Sequence, residues 1–265
     1  MNPKRILLTG DDGYNSIGIR LLINALKDDH ELHIAATKHQ QSGVGGKISV
    51  YTDSSWEEIE VDGVPGIAVE GTPADAAECA SVHFSEKFDL ILSGINLGLN
   101  VGAVIISSGT YGGMTRGFAL ELAPKAIALS WNVPYELMLK KHDESENLKE
   151  YQEHFHKILK PLFKKIFAEN MWDVDILNIN FPEKPSNKIR FTKMSKSVRK
   201  VFEPLEVDRE TRKFSYKTSL LNITEDNPRY DAGALKQGYI SITPCAFDPT
   251  HFTTFEKLEK TKLKI

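Results

Sequence analysis

Asp11 and Asp12, two adjacent carboxylates, follow an apolar stretch, Arg5 to Thr9, that ends at Gly10. Neighbouring carboxylates repel each other, and burying both without a counter-charge is costly. A hard divalent cation such as Mg2+ or Mn2+ offsets that cost and prefers oxygen ligands. On its own the dipeptide equally suits a solvated turn, because Asp and Gly both favour turns. Two other stretches supply neutral oxygens: Ser42, in a loop with Gly43, Gly45 and Gly46, and Asn96, in the run Ser93-Gly94-Ile95-Asn96. Taken singly, each is an ordinary loop hydrogen-bonder. Together with the acidic pair they make an all-oxygen set that leaves positions for water and a phosphate. Ser108-Gly109-Thr110 stands where a helix is expected to start. Free N–H groups there favour an anion, although Ser108 or Thr110 could equally act as a plain cap.

Parallel strands would bring these stretches together, since open α/β sheets bind ligands beyond the carboxyl ends of their strands. Arg5 to Thr9 reads as a first strand. Ile17, Leu21, Leu22 and Leu26 have helical spacing, and Glu31 to Ala36 reads as a second strand, a β-α-β opening. Residues 37 to 47 form a polar, glycine-rich loop. Further strands are expected at Gly66 to Glu70, Phe88 to Leu92, Lys125 to Ser130 and Asp175 to Phe181. Gly71-Thr72-Pro73-Ala74-Asp75 carries the signals of a helix start, with Thr72 as cap, Pro73 at the first position and Asp75 at the third. That helix is expected to run to about Phe84. Another is expected from about Thr110 to Leu122, and residues 140 to 170 are charged and helix-prone. After about Pro185 the character changes to short β-prone stretches and polar turns through residue 243. One domain is expected over 1–265, with an α/β core to about residue 185 and an extended β-rich arm and C-terminal segment from about 186.

Composition excludes several classes. The 265 residues are 41% hydrophobic and 26% charged, ordinary for a globular chain, with 33 basic against 36 acidic residues and a formal net charge of -3. That balance gives no reason to expect nucleic-acid or membrane-surface binding. No stretch approaches the ~20 apolar residues of a membrane span, and the apolar run near the N-terminus is too short for a signal peptide. Cys79 and Cys245 lie far apart, which suggests neither a disulfide framework nor a cysteine zinc site. The compartment expected is the cytoplasm. A Walker A loop, a G-x-G-x-x-G fingerprint, a G-x-S-x-G elbow and an H-E-x-x-H pair are all missing. His154 and His156 are expected to be solvated surface residues.

Several motifs in order resemble the SurE family, the stationary-phase survival proteins that act as nucleotidases. Ile6 to Gly13, ILLTGDDG, is similar to the family's opening I-L-L-x-N-D-D-G, and Ser42-Gly43 to its R-S-G loop. Gly71 to Asp75 matches G-T-P-A-D. Ser93 to Asn96, with Gly98, Asn100 and Gly102, is similar to S-G-I-N-x-G-x-N-x-G. Ser108-Gly109-Thr110 matches the centre of Y-S-G-T-V, and Gly238 to Pro244 resembles G-Y-V-S-V-T-P. The resemblance implies a Rossmann-like three-layer core with a mainly parallel sheet. It makes the β-rich C-terminal part an arm exchanged between subunits of a homodimer or homotetramer. It also implies one divalent ion per subunit, Mg2+ or Mn2+, held by Asp11, Asp12, Ser42 and Asn96. Asn100, Ser108, Gly109 and Thr110 would surround the phosphate of a nucleoside monophosphate. Departures occur around the expected substrate: Gly10 for Asn, Gln41 for Arg, Leu99 for Pro, and Ala103, Val104 and Ser107 for an acidic pair and a Tyr. They leave base preference and the choice of 5′ over 3′ open. A non-catalytic homolog binding a ligand or partner, a phosphatase for other phosphomonoesters or polyphosphate, and a nucleotide-binding oxidoreductase are the competing readings. Adjacent acids differ from the D-x-D-G-T of aspartyl-phosphate enzymes, so hydrolysis by activated water is expected.

Overall fold

The computed structural model describes residues 3–138, 148–155, 157–168, 173–215, 222–259 and 261. The sequence alternates as the β-α-β opening requires. Strand β1 (Arg5–Thr9) leads through α1 (Ile17–Leu26) to β2 (Glu31–Thr37), then to the hairpin β3 (Trp56–Val61) and β4 (Val64–Val69). Helix α2 (Pro73–His83), β5 (Leu90–Leu97), a 3-10 turn at Gly102–Ser107, α3 (Gly109–Ala119) and β6 (Ala126–Trp131) follow. Next come α4 (Tyr135–Met138), α5 (Leu148–Phe155), α6 (Leu159–Ala168) and β7 (Ile176–Phe181). The chain continues through β8 (Ile189–Phe191), β9 (Glu206–Asp208), β10 (Lys213–Ser215), α7 (Asp231–Lys236), β11 (Ile240–Cys245) and α8 (Phe252–Leu258).

Among the described residues, nine strands form one sheet in the order β3-β4-β2-β1-β5-β6-β7-β11-β8. The run from β4 to β7 is parallel, whereas β3 pairs antiparallel with β4 and β11 antiparallel with β7 but parallel with β8. The chain winds outward from β1 to β2 and β4 on one side, and from β5 to β6 and β7 on the other. The strand order therefore reverses between β1 and β5, and the carboxyl ends of such a switch point are where open α/β sheets bind ligands.

Both faces of the sheet are covered, which is why β1 alternates its apolar side chains between two cores. Ile6 and Leu8 join α1, α5 and α6 on one face, and Leu7 joins the side of α2 and α3. Helices α2 and α3 approach closely because small residues face one another; a Cβ on Gly113 would lie 2.6 Å from the Cβ of Pro73. The capping box at the start of α2 forms as the sequence indicates: Thr72 accepts from the Asp75 N–H and Asp75 from that of Thr72.

Three expectations need correction, and one strand was not expected. β5 does not stop at Leu92; it runs to Leu97, and a register shift between Ser93 and Asn96 against β6 marks a distorted strand end rather than a loop. The hairpin strand β3 was not legible, being charged and mostly exposed at the sheet edge. Within the stretch read as an arm, β8 and β11 lie in the main sheet, and the β9–β10 pair forms the separate two-stranded sheet. His154 is half-buried rather than solvated: the rings of Trp131 and Phe155 lie tilted against it, and burial pushes its pKa down to about 4. Helix α5 presents Tyr151, His154 and Phe155 along one stripe, which carries the imidazole inward with the aromatic rings. His156 lies outside the described residues. Among the described residues no helix is long and apolar enough to cross a membrane.

Candidate active site at the sheet switch point

The loop after β1 carries Asp11 and Asp12 to the switch point, where they are only 4% and 8% exposed. Each carboxylate has its own donors. Asp11 Oδ1 accepts from the Thr110 hydroxyl at 2.5 Å, and its carboxylate lies against the first turn of α3, whose Gly109 and Thr110 amides partly offset the rise that burial causes in its pKa. It thus sits on the positive end of the α3 dipole. Asp12 Oδ2 accepts from the Leu97 N–H at 3.0 Å, and Asp12 Oδ1 from Gln40 Nε2 at 3.3 Å. Burial holds both pKa values above the usual carboxylate range; for Asp12 the neighbouring Asp11 charge adds to burial.

Around this pair the sheet assembles the other expected oxygens. Gln40 Nε2 also reaches Ser42 Oγ at 3.2 Å, so one side chain bridges Asp12 and Ser42. Asn96 precedes the residue whose N–H binds Asp12, and its Nδ2 donates to the Gly98 carbonyl at 2.9 Å, leaving the amide oxygen as the free acceptor. Among the described residues no cation accounts for the perturbed state of either carboxylate, and no group of three or more His, Cys, Asp or Glu side chains gathers anywhere. Two buried carboxylates with neutral oxygens beside them fit a hard divalent ion and do not suit a thiophilic one.

Ser108 caps α3, accepting from the Tyr111 N–H at 3.1 Å, so its hydroxyl proton is available to an anion. The helix start expected to cradle a phosphate here lies against Asp11, which takes the Thr110 hydroxyl. Gly109 is required by that approach: a Cβ there would lie 2.6 Å from Asp11 Oδ2. Asn100 is buried, with its Nδ2 donating to Ser130 Oγ at 2.8 Å and lying 3.4 Å from Thr110 Oγ1. The residues marked in the sequence, Asp11, Asp12, Ser42, Asn96, Asn100, Ser108, Gly109 and Thr110, therefore converge on the switch point. Missed were Gln40, Ser130, and the asparagines Asn178 and Asn180 of β7, whose amides reach Asn100. A polar pair two residues apart in an otherwise apolar strand was the signal available for the last two.

The departures have structural counterparts. Leu99 packs in a small core with Val101, Val201, Ala232 and Leu235, tying the loop after β5 to the C-terminal segment. Asp231 fastens the same loop, accepting from the Gly102 N–H at 2.6 Å and the Ser195 N–H at 3.1 Å. Gly10 is not enforced sterically, since an added Cβ would make only ordinary contacts with Gly94. Ser107 and Ile106 are exposed at the rim.

Fold and site together define a doubly wound α/β protein with a buried acidic pair at its switch point. A sequence model of the family described as "Survival protein SurE" matches residues 6–203, and the chain belongs to that family. It is similar to "5'-nucleotidase SurE" of Methanosarcina acetivorans, 36% identical over 271 residues covering 98% of each chain. It is also similar to the protein of that name from Archaeoglobus fulgidus, 33% identical over 266 residues covering 96% of each. Among solved structures, the SurE protein of Aquifex aeolicus matches with a TM-score of 0.73 and 26% identity, covering 96% of this chain and 98% of that one.

Proposed function

We propose that this chain is a divalent-metal-dependent 5′-nucleotidase that hydrolyses nucleoside monophosphates to nucleoside and phosphate. The observation that carries the reading is the buried Asp11–Asp12 pair at the switch point, ringed by Ser42, Asn96 and the start of α3. Family membership and relatives named for this activity support it. Asp11, Asp12, Ser42 and Asn96 would hold one Mg2+ or Mn2+ per chain. When bound, such an ion withdraws charge from a phosphoryl group and lowers the pKa of water.

The chain's own groups then have separate tasks. The Thr110 hydroxyl fixes the Asp11 carboxylate, and Leu97 and Gln40 fix that of Asp12, so neither reorients as charge develops. The Ser108 hydroxyl, with its proton free, orients the phosphoryl oxygens, while the Asn100 amide holds Thr110 in place behind Asp11, and positioning of this kind carries much of phosphoryl-transfer catalysis. The two free thiols Cys79 and Cys245 agree with a cytoplasmic setting. Exposed apolar side chains on the β9–β10 pair (Val207, Phe214) and on α8 (Phe252, Phe255, Leu258) support assembly into a homodimer or homotetramer through the C-terminal segment.

The test is phosphate release from a panel of 5′- and 3′-nucleoside monophosphates, a simple phosphomonoester and polyphosphate, with Mn2+ or Mg2+ and again with a chelator. Metal-dependent release from 5′-nucleotides is expected. No release from any of them would leave a non-catalytic homolog, and release unaffected by the chelator would remove the metal from the account.

A further inference from the structure

Strand β7 reads Ile176-Leu177-Asn178-Ile179-Asn180-Phe181, and every residue in it is buried. A strand covered on both faces ordinarily carries apolar side chains, because a buried amide without partners is costly. Asn178 and Asn180, both 0% exposed, break that pattern on one face. Their partner is a single residue. Asn180 Oδ1 accepts from the Asn100 N–H at 3.0 Å, while Asn180 Nδ2 donates to the Asn100 carbonyl at 3.0 Å. Asn178 Nδ2 donates to that same carbonyl at 2.8 Å. Asn100 lies beyond the end of β5, outside any strand, and the two amides do for its backbone what a neighbouring strand would do. Asn178 Oδ1 is left without a partner among the described residues, so this strand bears an orphan acceptor in order to hold the clamp.

From Asn100 the connection continues to the acidic pair. Its Nδ2 donates to Ser130 Oγ and lies within reach of Thr110 Oγ1, which donates to Asp11 Oδ1. Ser130 and Thr110 are fully buried and Asn100 almost so, so each group is fixed by its neighbours.

We propose that Asn180, backed by Asn178, is a positioning residue for hydrolysis, acting through the backbone of Asn100 to hold its side-chain amide on Ser130 and Thr110, and through Thr110 the Asp11 carboxylate. The proposal rests on the nucleotidase reading above.

The experiment is steady-state phosphate release from a 5′-nucleotide with Mn2+, using the full chain. Asn180→Asp is compared in two backgrounds, wild type and Asn100→Ala, the latter read at raised enzyme concentration. Asn180→Asp keeps the shape but turns a donor into an oxygen facing the Asn100 carbonyl. In the wild-type background kcat should fall by at least tenfold. In Asn100→Ala, where there is no amide left to hold, the same change should lower kcat by less than threefold. Circular dichroism and the thermal midpoint report folding; if Asn180→Asp does not fold, Asn178→Ser, which removes one of the three bonds, is read by the same criterion with a smaller loss. An equal fold-loss in both backgrounds would mean a general structural effect and overturn the proposal, as would a folded variant with undiminished kcat. A wild-type chain that releases no phosphate would instead overturn the nucleotidase reading itself, and the proposal with it.

Discussion

Replacing Gly109 with Ala probes the carboxylate pair without touching a charge. An added Cβ would lie 2.6 Å from Asp11 Oδ2, 2.8 Å from its Cβ and 3.0 Å from its Cγ. Ordinary contact needs at least 3.4 Å, so Asp11 must move by about 0.8 Å. It cannot simply swing away, because it is buried and Thr110 Oγ1 holds Oδ1 at 2.5 Å. Displacement of about 1 Å at a catalytic constellation costs roughly 100-fold in rate. Overpacking costs about 1–3 kcal/mol, and Ala in place of Gly within a helix returns up to about 1 kcal/mol. The net destabilisation is about 0–3 kcal/mol, a fall in Tm of no more than about 12 °C for a chain of this size. The assay pairs phosphate release from a 5′-nucleotide with a thermal melt. A Gly109→Ala protein that keeps more than a third of the wild-type rate would show that the Asp11 position does not matter to the chemistry. A protein that fails to fold at all would show that the cost of the contact was misjudged.

Two further outcomes follow from the same geometry. Because the buried pair lacks a paired cation, saturating Mn2+ should stabilise the fold; at about 100 times its Kd the gain is about 2.7 kcal/mol, or roughly 5–10 °C in Tm. A melt that does not respond to Mn2+ or to chelator would count against the site. His154, pushed down to about 4 by burial among Trp131 and Phe155, binds a proton less readily folded than unfolded. Its contribution is complete above about pH 6.5 and is lost as pH falls through that value toward about 4. Discounted for partial exposure this amounts to about 1–2 kcal/mol, and His154→Leu should flatten the acid side of the stability curve measured by urea unfolding. An unchanged curve would mean the imidazole is solvated after all.

Much of this was readable before the structure. The switch-point site follows from Arg5 to Gly13, because an apolar strand ending in two acids within a β-α-β opening places those acids at a strand's carboxyl end. Thr72, Pro73 and Asp75 announced α2 through local chemistry alone. What stayed hidden depends on distant partners. β3 has the composition of a solvated loop, and only its pairing with β4 makes it a strand. β11 enters the sheet between β7 and β8 through pairings with residues some fifty to seventy positions away, which no local period encodes. Gln40 resembles any polar loop residue until the fold brings Asp12 and Ser42 to either side of it. Asn178 and Asn180 were visible as an anomaly, yet their purpose appears only when Asn100 is placed against them.

The most direct measurement is calorimetric titration of Mn2+ into the metal-free chain and into its Asp12→Asn variant. One ion per chain should bind to the wild type. The variant keeps an oxygen to accept from the Leu97 N–H and loses the charge, so it should remain folded and bind at least 100-fold more weakly, a difference of about 2.7 kcal/mol. A folded Asp12→Asn chain that takes up one Mn2+ with wild-type affinity would place the ion elsewhere and contradict the site described here.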